Sequence, residues 1–223
     1  HTPVRMKLDF PLRARPTVPA AAAPTRRAVL ANGVALMSAG LALPRAFAAA
    51  PVTVDGLRFA GDIQLDGQSL QLNGVGLRAV AWLRGYAAGL YLMQRAKTAE
   101  QVVAASGPKR LQLGMLLEVG IEEFIKAFHK GVDRNTPAAA LPSLAGRMAE
   151  FDKLLQGMVK VRKMDIVDLD WLPQQGLRLS LNGRERGQPI PGEDLYAALL
   201  RIFVGQRPVD RELKIGLLGG PVA

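Results

Sequence analysis

The chain of 223 residues contains no cysteine and only two histidines, His1 and His129. Without thiols it can form neither a disulfide nor a thiolate metal site, and it has no cysteine nucleophile. A hydrolase triad or a zinc site would need His129 together with partners at a suitable spacing, which the sequence does not offer. We therefore expect no metal and no cofactor, and a nucleophilic hydrolase is weakly supported.

Acidic residues are scarce at the start of the chain, and most of the positive excess lies there. The formal net charge is +10, of which residues 1–48 contribute six through seven Lys or Arg and the single acid Asp9. Residues 49–223 hold the other 22 basic and 18 acidic side chains. A basic isoelectric point would ordinarily suggest nucleic acid as a partner. Because the excess belongs mainly to the first segment, we expect no nucleic-acid partner.

Residues 28–43 form the longest mostly apolar run, sixteen residues in all. Basic sequence precedes the run and Ala46-Phe47-Ala48 follows it, as in a secretory signal with its cleavage site. A bilayer-spanning helix needs about 20 residues, so we expect cleavage of residues 1–48, no stable membrane span afterwards, and a periplasmic domain of residues 49–223. A retained anchor is the alternative. Arg26-Arg27 fits twin-arginine export, and an arginine-rich leader for general secretion fits equally well.

The rest of the chain mixes strand and helix patterns. Alternating apolar residues predict strands, and apolar residues three and four apart predict helices. The predicted strands cover residues 52–59, 69–72, 77–93 (bent near Arg84-Gly85), 110–117, 166–169 and 177–181. The predicted helices are a short one capped by Thr98, then 121–130, 141–158, one from Gly192 to Val204, and a short one capped by Asp210. This order favours an α+β fold with one antiparallel sheet and helices on a face.

One segment places a positive charge inside strand-like sequence. Leu72-Asn-Gly-Val-Gly-Leu-Arg78 is followed eight residues later by Tyr86-Ala-Ala-Gly-Leu-Tyr-Leu92. Gly74 and Gly76 permit close backbone approach and unusual dihedral angles, which can aim Arg78 inward. A guanidinium in an apolar cleft is costly unless an anion meets it, and its planar fork suits a carboxylate. The alternative is an arginine solvated at the end of a strand.

This segment resembles the chalcone isomerase-like family, whose members carry a Gly-x-Gly-x-Arg turn before an apolar Gly-x-Tyr-Leu strand. The resemblance covers roughly residues 52–219 and continues through a strand at 109–117, a helix at 120–131, a strand pair at 166–182 and a late helix at 191–205. It implies an open-faced β-sandwich with a helical layer, and a ligand cleft between sheet and helices.

The resemblance also implies roles for Arg78 and Tyr86. In catalytic members the matching arginine holds and polarises a flavonoid substrate, whereas in fatty-acid-binding members it pairs with the carboxylate. Tyr86 stands where catalytic members have a threonine and fatty-acid-binding members have a tyrosine that bonds the same carboxylate. The two positions share a face if one strand runs through both, and a tight turn at Arg84-Gly85 would remove this argument. A tyrosine at the rim with its hydroxyl in water is the alternative.

Other positions argue against isomerase chemistry. Aligned with catalytic members, Phe124 replaces the active-site tyrosine, Ala127 a lysine, Gly131 an asparagine and Ala198 a hydroxyl residue. Closure of a chalcone needs donors that polarise the ketone and steer the phenolate, and this set is mostly missing. Lys126 could compensate only if the alignment shifts by one. A lone histidine on a helix, as at position 129, is usually structural or solvated.

The combined prediction is a binder of a small amphipathic carboxylate, most plausibly a fatty acid, held by Arg78 and Tyr86. An apolar groove of Phe124, Phe128, Leu116 and Ile121 would take the tail, although these residues could equally be plain core. A tail of about ten to twelve carbons would contribute roughly 8–10 kcal/mol before binding costs. The alternatives are an intramolecular lyase with a divergent active site, acting on a flavonoid-like compound, and an envelope protein that works through protein contacts. The oligomeric state is left open.

Overall fold

The computed structural model describes residues 50–80 and 83–222. The predicted export segment, residues 1–48, lies outside the described residues. Within the described ranges no helix is both long and apolar enough to cross a bilayer.

Eleven strands and five α-helices make up the described part of the chain. The strands are β1 (Val52–Val54), β2 (Leu57–Phe59), β3 (Asp62–Leu65), β4 (Gln68–Val80), β5 (Leu83–Leu92), β6 (Lys109–Met115), β7 (Val119–Gly120), β8 (Lys160–Val161), β9 (Ile166–Leu172), β10 (Gly176–Leu181) and β11 (Arg184–Glu185). The helices are α1 (Ala99–Ala104), α2 (Ile121–Asn135), α3 (Leu141–Gln156), α4 (Glu193–Val204) and α5 (Arg211–Leu217).

Seven of these strands form one antiparallel sheet in the order β11-β10-β9-β6-β5-β4-β3. Two small ribbons, β1-β2 and β7-β8, lie outside it. Helices pack on one face, where α4 contacts each of the other four helices and strand β10. Most of α4 is buried, which explains why its sequence is apolar almost all round. The predicted α+β fold with one antiparallel sheet and a helical layer is confirmed.

The helix ends follow the predicted signals. Thr98 forms a capping box with Gln101 at the start of α1, and the Asp210 side chain accepts a hydrogen bond from the Leu213 backbone N–H at the start of α5. Gly192 precedes α4 at φ 113°, a conformation that favours glycine. Helix α2 continues to Asn135, beyond the predicted end at residue 130.

Two predicted strands are divided in the structure, and β4 also runs through residues 73–76, which separate two predicted strands. The stretch predicted as one strand at 52–59 is a hairpin, because Asp55 and Gly56 both adopt positive φ and turn the chain between β1 and β2. The stretch predicted as one bent strand at 77–93 is also divided. Strand β4 ends at Val80 and β5 begins at Leu83, so the reversal comes before the predicted bend at Arg84-Gly85. Arg78 and Tyr86 therefore lie on neighbouring strands.

Alternation along the strands separates two apolar layers. On the helical face, Leu111, Leu113 and Met115 of β6 join a large cluster with α2, α3 and α4. On the outer face, a smaller cluster forms where the β1-β2 ribbon covers β4 and β5, with Phe59 and Tyr91 completely buried. Leu116 belongs to this outer cluster.

Beyond the ribbon, the outer face carries buried charges instead of apolar side chains. Asp170 of β9 is fully buried and accepts two hydrogen bonds from Arg110 of β6, at 2.6 and 2.7 Å, and one from Arg178 of β10 at 3.0 Å. The sheet register places both arginines directly opposite this aspartate. Asp168 lies nearby, and burial raises the pKa of its carboxyl although the charge of Arg110 opposes the shift.

Helix α5 lies directly against the backbone of β4. A Cβ added to Gly76 would stand 2.3 Å from the Leu213 carbonyl oxygen, and one added to Gly74 would stand 2.1 Å from the Gly216 carbonyl oxygen. Gly216 in turn approaches the carbonyl of Val75. Neither Gly74 nor Gly76 has a positive φ. The close backbone approach predicted at Gly74 and Gly76 is therefore present, and the neighbouring backbone is that of helix α5. The unusual dihedral angles predicted for these two glycines are absent.

Replacing Gly76 by alanine should destabilise the fold by about 1–3 kcal/mol, because the new methyl group would displace the backbone of α5. Chemical denaturation of the purified protein measures this. Gly146→Ala is the matched control, since Gly146 is exposed within α3 and an added Cβ would meet nothing within 4 Å. That change should stabilise the protein by roughly 0.5–1 kcal/mol through helix propensity. Equal stability of the two variants would contradict the backbone contact.

Candidate functional site

A cavity of about 270 Å³ lies between the helical face of the sheet and helices α2, α3 and α4. Its lining is almost entirely apolar, and Arg78, Tyr86 and Glu123 supply its polar side chains. The lining residues are Arg78, Gly85, Tyr86, Leu113, Met115, Val119, Glu123, Phe124, Ala127, Phe128, Phe151, Leu169, Leu199, Ile202, Phe203 and Val209. An apolar pocket with a few convergent polar groups is the usual form of a small-molecule site.

Arg78 and Tyr86 reach this cavity because β4 and β5 pair antiparallel with these two residues directly opposite each other. The register shifts at the next step, where Ala79 faces Arg84 and Gly85 is left as the extra residue of a bulge. Residues directly opposite in an antiparallel pair point to the same face. The shared face was predicted from an even spacing along one strand, and it arises instead from cross-strand pairing.

The guanidinium of Arg78 lies over the ring of Tyr86, with Cζ 5.7 Å from the ring centroid. This is within the range of a cation–π contact. Tyr86 also meets Phe203 of α4 edge-on, with centroids 6.4 Å apart. The contacts hold both polar side chains at the cavity wall.

The Nε atom of Arg78 is buried and has no hydrogen-bond partner among the described residues. Within the same ranges no acidic side chain forms a salt bridge with Arg78, whereas Arg84 and Arg147 each have one acidic partner and Arg110 and Arg178 each have two. Glu123, the acid in the lining, pairs with Lys126 at 2.8 Å. A buried donor without a partner carries a desolvation cost that an anion in the cavity would remove.

Burial raises the pKa of the Tyr86 phenol well above its ordinary value, and the negative charge of Asp210 adds to the shift while Arg78 opposes it. The phenol therefore stays protonated at neutral pH. A neutral phenol can donate its O–H to an acceptor in the cavity.

The other residues predicted for the site fall into two groups. Phe124 and Phe128 of α2 line the cavity, and Phe128 packs edge-on against Phe151 with centroids 4.8 Å apart. Leu116 does not line it. Side chains alternate along β6, so Leu113 and Met115 face the cavity and the next residue, Leu116, packs on the outer face. The prediction of Leu116 as a lining residue was wrong by one position.

Of the positions compared with catalytic relatives, two line the cavity and two do not. Phe124 and Ala127 line the cavity, whereas Gly131 packs against Ile202 of α4 and Ala198 is buried in the core. His129 lies outside the lining and forms a pair with Asp152 at 2.8 Å. The described ranges contain no cluster of three or more His, Asp or Glu side chains that could hold a metal ion.

Comparison with known proteins decides the family. The model of the family described as chalcone isomerase-like matches residues 51–219. The chain belongs to the chalcone isomerase-like family. A comparison with curated proteins gives no match. Among solved structures, the fold is similar to the crystal structure of a fatty-acid binding protein of Arabidopsis thaliana, with a TM-score of 0.59 and 19% sequence identity over 75% of this chain and 95% of the other. At this identity the likeness establishes the chalcone isomerase fold.

All three tyrosines of the chain should resist ionisation in the folded protein. Burial raises the pKa of Tyr91 to about 12, and it raises the pKa values of Tyr86 and Tyr196 further. Because the folded pKa values exceed the unfolded value of about 10, this contribution to stability is complete below pH 10 and is lost as the pH rises through the folded values. Ultraviolet absorbance should show no tyrosinate until the protein unfolds in alkali.

The Tyr86→Phe variant is the control for this titration. It removes one of the three tyrosines, so the absorbance change on alkaline unfolding should fall by a third. A tyrosine that ionises near pH 10 while the circular dichroism is still native, and that disappears in Tyr86→Phe, would show that Tyr86 is not desolvated.

Proposed function

We propose that this protein binds a small amphipathic carboxylate in the cavity, with Arg78 holding the carboxylate and Tyr86 donating a hydrogen bond to it. The observation that carries the proposal is the unpartnered, buried Nε of Arg78 at the wall of an apolar cavity. A guanidinium offers several donors in one plane, and a carboxylate accepts two of them side by side. A bound carboxylate would give this atom the partner it lacks within the described residues.

The position of Arg78 relative to the cavity supports an amphipathic ligand. The lining residues Arg78, Tyr86, Val119, Phe124 and Val209 are partly exposed, whereas Leu113, Phe151, Leu169 and Leu199 are fully buried. A ligand with its charge at Arg78 would keep that charge near water and place its apolar part among the buried apolar residues. Burial of the apolar part supplies the free energy, and the ion pair fixes the orientation.

A non-catalytic role is favoured over an intramolecular lyase. Phe124 and Ala127 line the cavity where catalytic relatives are expected to carry a tyrosine and a lysine, so polarisation of a ketone would depend on Arg78 and Tyr86 alone. The structurally similar plant protein is a fatty-acid binding protein, which agrees with a carboxylate as the ligand class. An envelope protein that acts only through protein contacts would leave Arg78 without a function.

Loss of Arg78 should weaken ligand binding far more than loss of the Tyr86 hydroxyl. Removing a charge-assisted hydrogen bond costs about 1.5–3 kcal/mol and removing a neutral one costs nearer 1 kcal/mol. Arg78→Ala should therefore weaken binding of a fatty acid roughly 10- to 150-fold, and Tyr86→Phe about 5- to 10-fold. Isothermal titration calorimetry of the parent and both variants measures the three affinities.

The methyl ester of the same acid provides the chemical control. It should bind the parent poorly and lose little further affinity in Arg78→Ala, because it has no charge for the guanidinium. Arg84→Ala is the protein control, since Arg84 is an exposed neighbour paired with Asp55 and outside the cavity lining. Equal binding of acid and ester to the parent would refute the proposed role of Arg78. Rapid, stereospecific cyclisation of chalcone that Arg78→Ala abolishes would favour the lyase instead.

We also propose that the domain acts in the periplasm after removal of residues 1–48. The support is the order of basic, apolar and small residues in that segment. When the full-length gene is expressed in a Gram-negative bacterium, the protein from the periplasmic fraction should begin near Ala49 on N-terminal sequencing. Replacing Arg26 and Arg27 by lysine should block export if the twin-arginine route is used. An intact leader in the membrane fraction would contradict cleavage.

A further inference from the structure

Two neighbouring loops at one end of the sheet combine exposed apolar side chains with positive charge. The first loop, residues 159–164, follows α3 and contains β8, and the second, residues 182–186, contains the turn after β10 and the short strand β11. We call these two loops the basic edge. Val159 is 86% exposed and Met164 48%, the highest values among the large apolar side chains of the described residues. Exposed apolar residues are common singly, so their surroundings decide whether they have a function.

Hydrogen bonds hold Met164 in its exposed position. Met164 has a φ of 69°, which is uncommon for a residue that is not glycine, Asn or Asp. Its N–H donates to the Met115 carbonyl at 2.7 Å. The Asp165 carboxylate accepts hydrogen bonds from the Arg162 N–H at 2.7 Å and from the Asn182 side chain at 2.9 Å, which joins the two loops. A turn that is strained and tied down in this way is typical of a functional surface.

The charge of the basic edge is mostly free of ion pairs. Its cationic side chains are Lys160, Arg162, Lys163, Arg184 and Arg186. Lys160 pairs with Glu118 at 2.9 Å, whereas the other four form no ion pair within the described ranges. Glu185 is already paired with an arginine of β10 at 3.0 Å. Asp165 and the exposed Glu122 at the start of α2 offset only part of the charge, so a positive excess faces the solvent.

A depression between the two loops places cations beside apolar side chains. Lys160, Arg162 and Arg186 line it together with Met158 and Val159. The Nε atom of Arg186 is buried and has no hydrogen-bond partner among the described residues. A phosphate oxygen would supply that partner, because guanidinium and ammonium groups form strong charge-assisted hydrogen bonds with phosphate. The depression therefore suits the phosphate of a lipid head group.

The basic edge lies at the same end of the sheet as Arg78 and Tyr86. Tyr86 pairs with Met115 at the end of β6, and the Met115 carbonyl accepts the hydrogen bond from Met164. Leu83, at the start of β5, is 43% exposed at this end as well. A flat surface that meets the basic edge therefore lies on the side of the molecule where the candidate site has its polar residues.

We infer that the basic edge docks on a membrane that contains anionic phospholipids. Val159 and Met164 enter the head-group region, and the cations meet the lipid phosphates. Reversible attachment to a bilayer depends on the apolar area that enters the interface together with the attraction of basic residues to anionic lipids, and the basic edge offers both. The inference goes beyond the proposed function and does not depend on the identity of the ligand.

The absence of cysteine from the chain permits a site-specific test. In Val159→Cys the single thiol is labelled with an environment-sensitive fluorophore, and the purified protein is mixed with lipid vesicles. Vesicles of phosphatidylcholine with about 30% phosphatidylglycerol should shift the emission to shorter wavelength and shield the label from an aqueous quencher. Pure phosphatidylcholine vesicles should do neither. Met93→Cys is the matched control, since Met93 is 40% exposed just beyond the other end of β5, and its label should stay in water.

Paired charge variants test the electrostatic contribution. Arg162→Gln with Lys163→Gln should weaken partitioning into the anionic vesicles roughly 10- to 30-fold, because each Lys or Arg at an anionic surface contributes about 5-fold. Arg95→Gln with Lys97→Gln removes the same charge from exposed positions at the opposite end of the sheet. Strand β5 separates the two ends by about 30 Å, several Debye lengths, so this control should change partitioning less than about 3-fold. All variants are purified with the same N-terminus as the parent, so that residues 1–48 contribute equally.

The outcomes are distinct. Shielding of the label at position 159 by anionic vesicles alone, with the larger loss of partitioning in the Arg162 and Lys163 variant, supports docking through the basic edge. Equal responses of the labels at positions 159 and 93, equal losses in the two charge variants, or equally strong binding to pure phosphatidylcholine would overturn it. Vesicles that leave the label at position 159 in water would overturn it too, and the carboxylate binding of the proposed function would stand.

Discussion

The contact between helix α5 and strand β4 determines the geometry of the site. Gly74, Gly76 and Gly216 allow two backbones to touch, with helix and strand running in opposite directions, so that Leu213 lies over Gly76 and Gly216 lies over Gly74. The start of α5 therefore comes beside Arg78, the next residue of β4 on the helical face. Asp210, which caps this helix, is consequently close enough to Tyr86 to affect its pKa. Any side chain at these glycines would separate the layers next to the cavity.

The two faces of the sheet are stabilised in different ways. The helical face is mostly apolar, and its continuous core contains most of α4. The outer face is apolar only beneath the β1-β2 ribbon, and farther along it depends on Asp170 held between Arg110 and Arg178. A buried carboxylate with charged partners on both neighbouring strands is strongly destabilised by the loss of either partner. This network also specifies the register of three strands, because Arg110 and Arg178 lie directly opposite Asp170.

Local signals in the sequence predicted most elements of the fold. Thr98, Gly192 and Asp210 mark helix starts that the structure contains. The pairs Asp66-Gly67 and Asn182-Gly183 are typical of hairpin turns, and all four residues have positive φ. Asp55-Gly56 is the same type of signal, and it was missed inside a short alternating stretch. The break between β4 and β5 is harder to predict from the sequence, because residues 77–93 contain no Asp-Gly or Asn-Gly pair to indicate a turn.

The candidate site was less predictable, for reasons of register and of tertiary contact. Arg78 and Tyr86 could be selected by residue type, yet their pairing depends on where β4 reverses and on the bulge at Gly85. A shift of one residue exchanges the faces of a strand, so Met115 lines the cavity while Leu116, its neighbour, packs on the outer face. Phe151, Leu169 and Leu199 come from three different elements, α3, β9 and α4, so no local pattern could indicate that they line one cavity.

The polar and apolar parts of the lining belong to different layers of the molecule. Arg78 and Tyr86 are fixed by hydrogen-bonded strands, whereas Phe128, Phe151 and Leu199 belong to the helical layer. During divergence, substitutions on the helices can therefore reshape the interior without altering the strand pairing that positions the guanidinium. Related domains can in this way acquire cavities of different shape while the guanidinium stays in the same place.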